Sequence, residues 1–383
     1  MAIELKRSWS DADIELYRDT AARFATDEAQ PNEEASRERG HVGHEIWRRA
    51  GQLGLLCADI PEAYGGGGGD ARHEFVLYEE MFKRSLSGMN VSVHSIVAHY
   101  LLNHGTEAQK LEYLPRMARG ELVGAIAMTE PGAGSDLQAI RTSAVLGDDG
   151  HYRINGTKTF ISNGFLAGLV LVVCKTDPAE RARGISILIV ETEGTAGYRV
   201  GRVLDKMGMK AQDTSELFFD DVRVPAAQLL GGAPGQGFFQ LMSDLPYERL
   251  AIAVIGMAAA EGAYRATLDH ARDRRAFGKT LFEHQNTRFK LAEIATRLEV
   301  GRAFVDRCVE QLVAGTLDTA TASMAKLWVS EMQGQVIDEC VQLFGGYGYM
   351  NEYLVARAYA DARIQRIYGG TSEIMKEVIA RAL

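Results

Sequence analysis

The chain has 383 residues and a mass of 42.0 kDa, a length that suggests two or three domains. Apolar residues at 46% and charged residues at 24% support a sizeable core and exclude wholesale disorder. Lys and Arg number 42 against 51 Asp and Glu, and the resulting charge of −9 argues against the basic face of a nucleic-acid binder and against a polybasic membrane anchor. From Ser10 to about Gly120 the pattern is helical. Ser10 is the expected N-cap, and Ile14, Leu16, Tyr17, Ala21 and Phe24 supply an apolar face that Pro31 ends. Further helices are expected over 44–53, 73–85, 91–103 and 107–119. The glycine run 65–69 reads as an exposed loop, and no Lys-Ser/Thr follows it as a P-loop requires.

From about Leu122 to Leu230 the texture turns to β. Short β-branched and aromatic runs at 142–146, 152–154, 157–162, 169–174, 185–191 and 217–219 alternate with turns such as Asp149-Gly150 and Asn155-Gly156. No ten-residue helical pattern separates them, so an antiparallel barrel or sandwich is expected rather than a doubly wound sheet. From about Gly237 long helices return over 241–271, 285–314, 320–343, 352–366 and 372–382, a bundle of four or so antiparallel helices. The expected fold is α+β and multidomain: an N-terminal α-helical domain (1–121), a middle antiparallel β-barrel (122–234) and a C-terminal four-helix bundle (235–383). Cys57, Cys174, Cys308 and Cys340 form no C-x-x-C pair, and His41 and His44 lack an acidic partner placed for a metal, so no metal site is expected. Residues 1–6 carry no apolar leader, and no stretch approaches the ~18 apolar residues of a membrane span. A cytoplasmic protein is expected.

Gly235-Gln236-Gly237 opens like a dinucleotide fingerprint but lacks the third glycine and follows Pro234 rather than a strand, so it reads as a loop entering a helix. Thr129-Glu130-Pro131-Gly132-Ala133-Gly134-Ser135-Asp136 is more informative. Its glycines and hydroxyls, after the apolar run 123–128, suit close approach to an anionic or heteroaromatic ligand, and equally a plain strand-end turn.

The run Ala127-Met128-Thr129-Glu130-Pro131-Gly132-Ala133-Gly134-Ser135-Asp136 resembles the first signature of the acyl-CoA dehydrogenase family. Gln342-Leu343-Phe344-Gly345-Gly346-Tyr347-Gly348-Tyr349, followed by Asp361-Ala362-Arg363-Ile364-Gln365-Arg366-Ile367-Tyr368-Gly369-Gly370-Thr371-Ser372-Glu373-Ile374, resembles the second. Ile60-Pro61-Glu62-Ala63-Tyr64-Gly65-Gly66 and Arg275-Ala276-Phe277-Gly278-Lys279 also fit, and the matches run in order along the chain. The carboxy-terminal half most resembles the long-chain members, with the branched-chain, isovaleryl-like group as the alternative. The resemblance implies an FAD-dependent oxidoreductase that makes a trans-2,3 double bond in an acyl-CoA thioester, a homotetramer, and an electron-transferring flavoprotein as acceptor. A non-catalytic acyl-CoA-binding protein on the same fold is the rival from another class.

Many family members carry Glu before the last helix, where this chain has Gly369 in Tyr368-Gly369-Gly370-Thr371. The isovaleryl- and long-chain-like members place the carboxylate on the first helix of the bundle, in a Glu-Arg pair, and Leu245-Pro246-Tyr247-Glu248-Arg249-Leu250 supplies it. The resemblance therefore assigns Glu248 as general base and the Gly369 amide as donor to the thioester oxygen. The plainer reading of Glu248 is a first-turn acid favoured by the helix dipole after Pro246. By the same resemblance Met128, Thr129, Gly134 and Ser135 run along the flavin, and Phe160, Ile161 and Ser162 pack against its ring. Thr371, Ser372 and Glu373 approach the dinucleotide from a helix N-terminus. Arg274, Phe277 and Gln285, with Gln342, Leu343, Phe344, Gly345 and Gly346, reach the FAD of a neighbouring subunit. Ser135, Arg183, Gly184, Phe239, Tyr247, Arg249 and Gly370 match substrate-side positions, with a structural ion pair as the plainer role of Arg249.

Overall fold

The computed structural model describes residues 7–383, so the segment 1–6, read for targeting signals, lies outside the described residues. The first layer holds helices α1 (Ala12–Arg23), α2 (Glu33–Arg39), α3 (His44–Gln52), α4 (Ala71–Phe82), α5 (Val91–His104) and α6 (Glu107–Ala118). Asp11, rather than Ser10, caps α1: its carboxylate accepts from the amides of Asp13 and Ile14, while the Ser10 hydroxyl turns to Glu15. Nor does Pro31 end the run. The chain continues through a π-helical turn (Phe24–Ala29) and a 3-10 turn (Gln30–Asn32), where proline sits at an opening position that needs no amide donor.

The glycine run is partly exposed but is no free loop. Gly66, Gly67, Gly68 and Gly69 donate their amides to the carbonyls of Pro61, Cys57, Ile60 and Ala58. A Cβ at Gly66 would stand 2.2 Å from the Ile60 carbonyl oxygen, so close backbone approach, not flexibility, selects glycine there.

Strands β1 (Gly124–Ala127), β2 (Ser143–Leu146), β3 (His151–Ser162), β4 (Leu169–Lys175), β5 (Ile185–Glu191), β6 (Tyr198–Val203) and β7 (Thr214–Pro225) form one curled sheet. It is mixed rather than antiparallel: β4 runs parallel to β1 and touches β2 in parallel, while β5 pairs with it antiparallel. A parallel neighbour needs a long return path, and residues 128–168 supply one between β1 and β4. Strand β4 is apolar on both faces. Leu169, Leu171 and Val173 pack among α5 and α6 side chains such as Leu101 and Leu114, and Val170, Val172 and Cys174 face the opposite cluster with Ile154 and Leu217.

The last layer holds α7 (Gly237–Asp273), the short hairpin β8 (Arg275–Ala276) and β9 (Lys279–Thr280), then α8 (Gln285–Val313), α9 (Thr319–Phe344), α10 (Leu354–Ala362) and α11 (Ser372–Ala380). Only α7, α8 and α9 are long. The run expected over 352–366 splits into α10 and a 3-10 turn, Arg363–Arg366. Helix α7 is the spine, touching α4 and α5 of the first layer, β5 of the sheet, and α8, α9 and α10 of the bundle. Among the described residues no helix is long and apolar enough to cross a membrane, and no cluster of His, Cys, Asp and Glu could hold a metal ion.

A buried charge cluster locks α1, α4, α7 and α8 together. Glu79, fully buried, accepts from Arg7 Nε at 2.7 Å, Arg18 Nη1 at 2.8 Å and Arg302 Nη1 at 2.9 Å, and Arg302 Nε also reaches Glu261 at 2.9 Å. Burial opposes the Glu79 charge, but Arg7 and Arg302 outweigh it and hold the carboxyl well below the usual range. The stability from this shift is complete above the ordinary glutamate pKa of about 4.3 and is lost as pH falls below it. Arg302→Met leaves Glu79 and Glu261 short of a counter-charge and is expected to destabilise the fold by roughly 3–5 kcal/mol in chemical denaturation. A loss below about 1 kcal/mol would make the cluster no more than a surface-type pair.

Candidate active site

Glu248 sits about three turns inside α7, so the first-turn dipole reading of this acid does not hold. Its residue is 8% exposed, and Oε1 accepts a hydrogen bond from the Tyr100 hydroxyl on α5 at 2.9 Å. Oε2 receives no hydrogen bond from the described residues. Burial pushes the carboxyl up to about 7; the Tyr100 donor pulls against this and the Asp244 charge one turn earlier adds to it. Asp244 in turn accepts from Asn103 Nδ2 and pairs with His104 Nε2, both at 2.7 Å.

The Gly369–Gly370 turn faces the same stretch of α7. A Cβ at position 369 would lie 2.2 Å from Ile252 Cδ1, and Ile252 follows Glu248 by one helical turn on the same face. The room left by a missing glutamate side chain is therefore taken by Ile252. Gly369 and Gly370 have φ of +61° and +91°, and the Gly369 amide donates to no described residue. Lys326 on α9, fully buried, fixes the turn through Nζ to the Gly370 carbonyl at 2.6 Å. Burial, reinforced by the charge of Arg249, lowers this lysine to about 8. Arg249 is buried with Nη1 on the Ser323 hydroxyl at 3.0 Å, and no carboxylate among the described residues forms an ion pair with it.

The first glycine-rich segment lies beside the end of β3. Thr159 donates its amide to the Thr129 carbonyl at 2.9 Å, and Lys158 Nζ reaches the Met128 carbonyl and Glu130 Oε1, each at 2.9 Å. Glu130 also accepts from the Arg141 and Thr142 amides, so one buried ion pair fixes both ends of the 130–142 loop. Gly132 and Gly134 face open space. Phe160 is 67% exposed with φ +59°, a strained backbone that turns an aromatic ring outward, and Ser162 accepts from Gln212 Nε2 at 3.1 Å. At the start of α11, Thr371 Oγ1 caps the Ile374 amide, Glu373 is exposed, and the buried Ser372 hydroxyl has no partner among the described residues. An open cradle, an outward aromatic and an orphaned hydroxyl at a helix N-terminus fit a flavin dinucleotide.

The remaining predicted positions fall elsewhere. Phe239, half exposed, marks the opening turn of α7, about 14 Å along the helix from Glu248, and the Arg183 carbonyl lies against Gly235 just before that turn, with Gly184 next to it in sequence. Tyr247 spends its hydroxyl on Tyr78 at 3.2 Å and its ring on Phe75 and His99, which makes it a wall rather than a free polar contact. Arg274, Phe277, Gln285 and residues 342–346 gather at the far end of α7, about 39 Å along the axis from Glu248. There Phe277 is 97% exposed and Arg274 lies 5.4 Å over the Tyr347 ring. Sequence reading missed Tyr100, Asp244, His104, Ile252 and Lys326. Their only signal was helical spacing, which gives no register between helices.

Gly369→Ala is expected to cost roughly 1–2 kcal/mol from its left-handed backbone. Gly346→Ala, in open space without positive φ, should stay within about 0.5 kcal/mol of the parent. Equal unfolding midpoints for the two would contradict the constraint at 369.

Residues 11–121 match the acyl-CoA dehydrogenase N-terminal domain, residues 125–222 its middle domain and residues 235–383 its C-terminal domain. The chain is 48% identical over 385 residues to the mitochondrial long-chain specific acyl-CoA dehydrogenase of Rattus norvegicus, covering 100% of this chain and 88% of that one. Acyl-CoA dehydrogenase from Geobacillus kaustophilus superposes with a TM-score of 0.95 at 44% identity, over 98% of this chain and 99% of the other. Butyryl-CoA dehydrogenase from Megasphaera elsdenii gives 0.93 at 35% identity, over 98% and 99%. With all three domains matched in order, the chain belongs to the acyl-CoA dehydrogenase family.

Proposed function

We propose that this chain is an FAD-dependent acyl-CoA dehydrogenase that converts an acyl-CoA thioester to its trans-2-enoyl-CoA, with Glu248 as general base. The observation that carries the reading is the Glu248 carboxyl: desolvated, held at one oxygen, unbonded at the other, and beside the Gly369–Gly370 turn. Thioester α protons are weakly acidic, so the site has to polarise the carbonyl and aim the base. The unpaired Gly369 amide is the donor to the thioester oxygen, a role that needs no side chain. Glu248 Oε2 takes the α proton, and a proton affinity near neutrality lets it both abstract and hold that proton. When bound, FAD supplies the acceptor for the β-hydride.

Residues 128–135, 160–162 and 371–373 hold the flavin, while Phe239, Arg183 and Gly184 receive the CoA end and Ser135, Tyr247, Arg249 and Gly370 line the acyl end. The distance from Glu248 to Arg274, Phe277, Gln285 and 342–346 supports their service to a neighbouring subunit's FAD, and hence a homotetramer. Electrons then leave to an electron-transferring flavoprotein, and likeness to the rat long-chain enzyme favours a long acyl chain.

Glu248→Gln should bind FAD and remain yellow yet lose acyl-CoA-dependent bleaching under anaerobic conditions. Bleaching at the parent rate would remove Glu248 from the role. Because the ionised carboxyl is the active form, kcat/KM of the parent should rise with pH through about 7 and level above it. A flat profile between pH 6 and 8, a range of roughly one unit either side, would count against the assignment.

A further inference from the structure

Helix α5 meets α7 through a two-step polar ladder beside the base. Tyr100 donates to Glu248 at 2.9 Å, and one turn further along α5 Asn103 and His104 hold Asp244, one turn earlier on α7. We propose that Tyr100 is the positioning residue of the general base: its hydroxyl fixes Oε1, leaves Oε2 alone to face the substrate, and keeps the carboxyl ionised at working pH. This rests on Glu248 being the base.

The geometry supports it in three ways. Tyr100 is fully buried, and Glu248 is the sole hydrogen-bond partner of its hydroxyl among the described residues. Burial, and then the Glu248 charge, push the phenol well above its ordinary range, so it stays protonated and can only donate. A donor to a carboxylate favours the charged form, and Glu248 has no other donor among the described residues, the neighbouring Arg249 being turned to Ser323. The remaining charged or titratable groups facing the carboxyl are Asp244 and Arg249 from α7 and His99 from α5. His99 is engaged with Asp59 at 2.7 Å, and Lys326 of α9 is turned to the Gly370 carbonyl.

Tyr100→Phe keeps the ring and removes one oxygen, so the holoprotein should retain its FAD and its KM within about twofold, since the lost contact touches the base and not the substrate. The acid limb of its flavin-bleaching rate should move up by about one pH unit, giving roughly fivefold slower bleaching at pH 7 and recovery toward the parent rate above pH 9. Asp244→Asn removes the opposing charge and should move the limb down; general loosening of the helix pair would admit water and move the limb down in both variants, so the upward shift of Tyr100→Phe is the sign that loosening would not give. If Glu248→Gln is silent while Tyr100→Phe keeps the parent acid limb, the positioning role is overturned and the base assignment stands. If Glu248→Gln still bleaches, both are overturned.

Discussion

A carboxyl group withdrawn from water costs several kcal/mol to keep charged, and the arrangement around Glu248 follows from that cost. The group sits where α7 passes between the first helical layer and the bundle, which is what desolvates it and lifts its proton affinity toward neutrality. A base that ionises near pH 7 can take a proton from a carbon acid and still exist as the anion beforehand. Tyr100 supplies the one hydrogen bond that the carboxyl receives from the described residues, and it opposes the effect of burial. The ion pairs of Glu79, Arg302 and Glu261 tie the same helices together away from the site, so the α4–α7–α8 packing does not rest on apolar contacts alone.

The second constraint is the turn at Gly369 and Gly370. Its positive φ values expose an unpaired amide, Ile252 occupies the volume a side chain would enter, and Lys326 holds the neighbouring carbonyl. The turn thereby offers a donor but no carboxylate. On the proposed reading the carboxyl that acts is Glu248 on α7, and Ile252 stands where a side chain at 369 would begin.

Much of this was legible in the sequence because it is local. The continuous apolar runs of β4 and β5, the spacing of α8 and α9, and the ordered signatures around 127–136 and 342–374 carry their meaning within a few turns of chain. What was not legible depends on which element meets which. Strand β4 lies parallel to β1 although both look like hairpin strands, because the pairing is fixed by a 128–168 crossover that no local pattern announces. Gly66 and Gly67 looked like a loose loop because their partners, the carbonyls of Pro61 and Cys57, are revealed only by a tight local fold-back. Tyr100, Asn103 and His104 had a helical address, but their facing Glu248 and Asp244 is a matter of α5–α7 register. Asp11 displaced Ser10 as cap for a smaller reason, since both residue types can do it and position decides.

Proton abstraction can be separated from hydride loss by using an acyl-CoA whose β carbon is replaced by sulfur, so that the α position can exchange but nothing can be oxidised. Exchange of its α protons with solvent deuterium reads the base alone. The account predicts exchange by the parent holoprotein and none above background by Glu248→Gln, with the ligand still perturbing the flavin spectrum in both. Exchange by Glu248→Gln at the parent rate would contradict it.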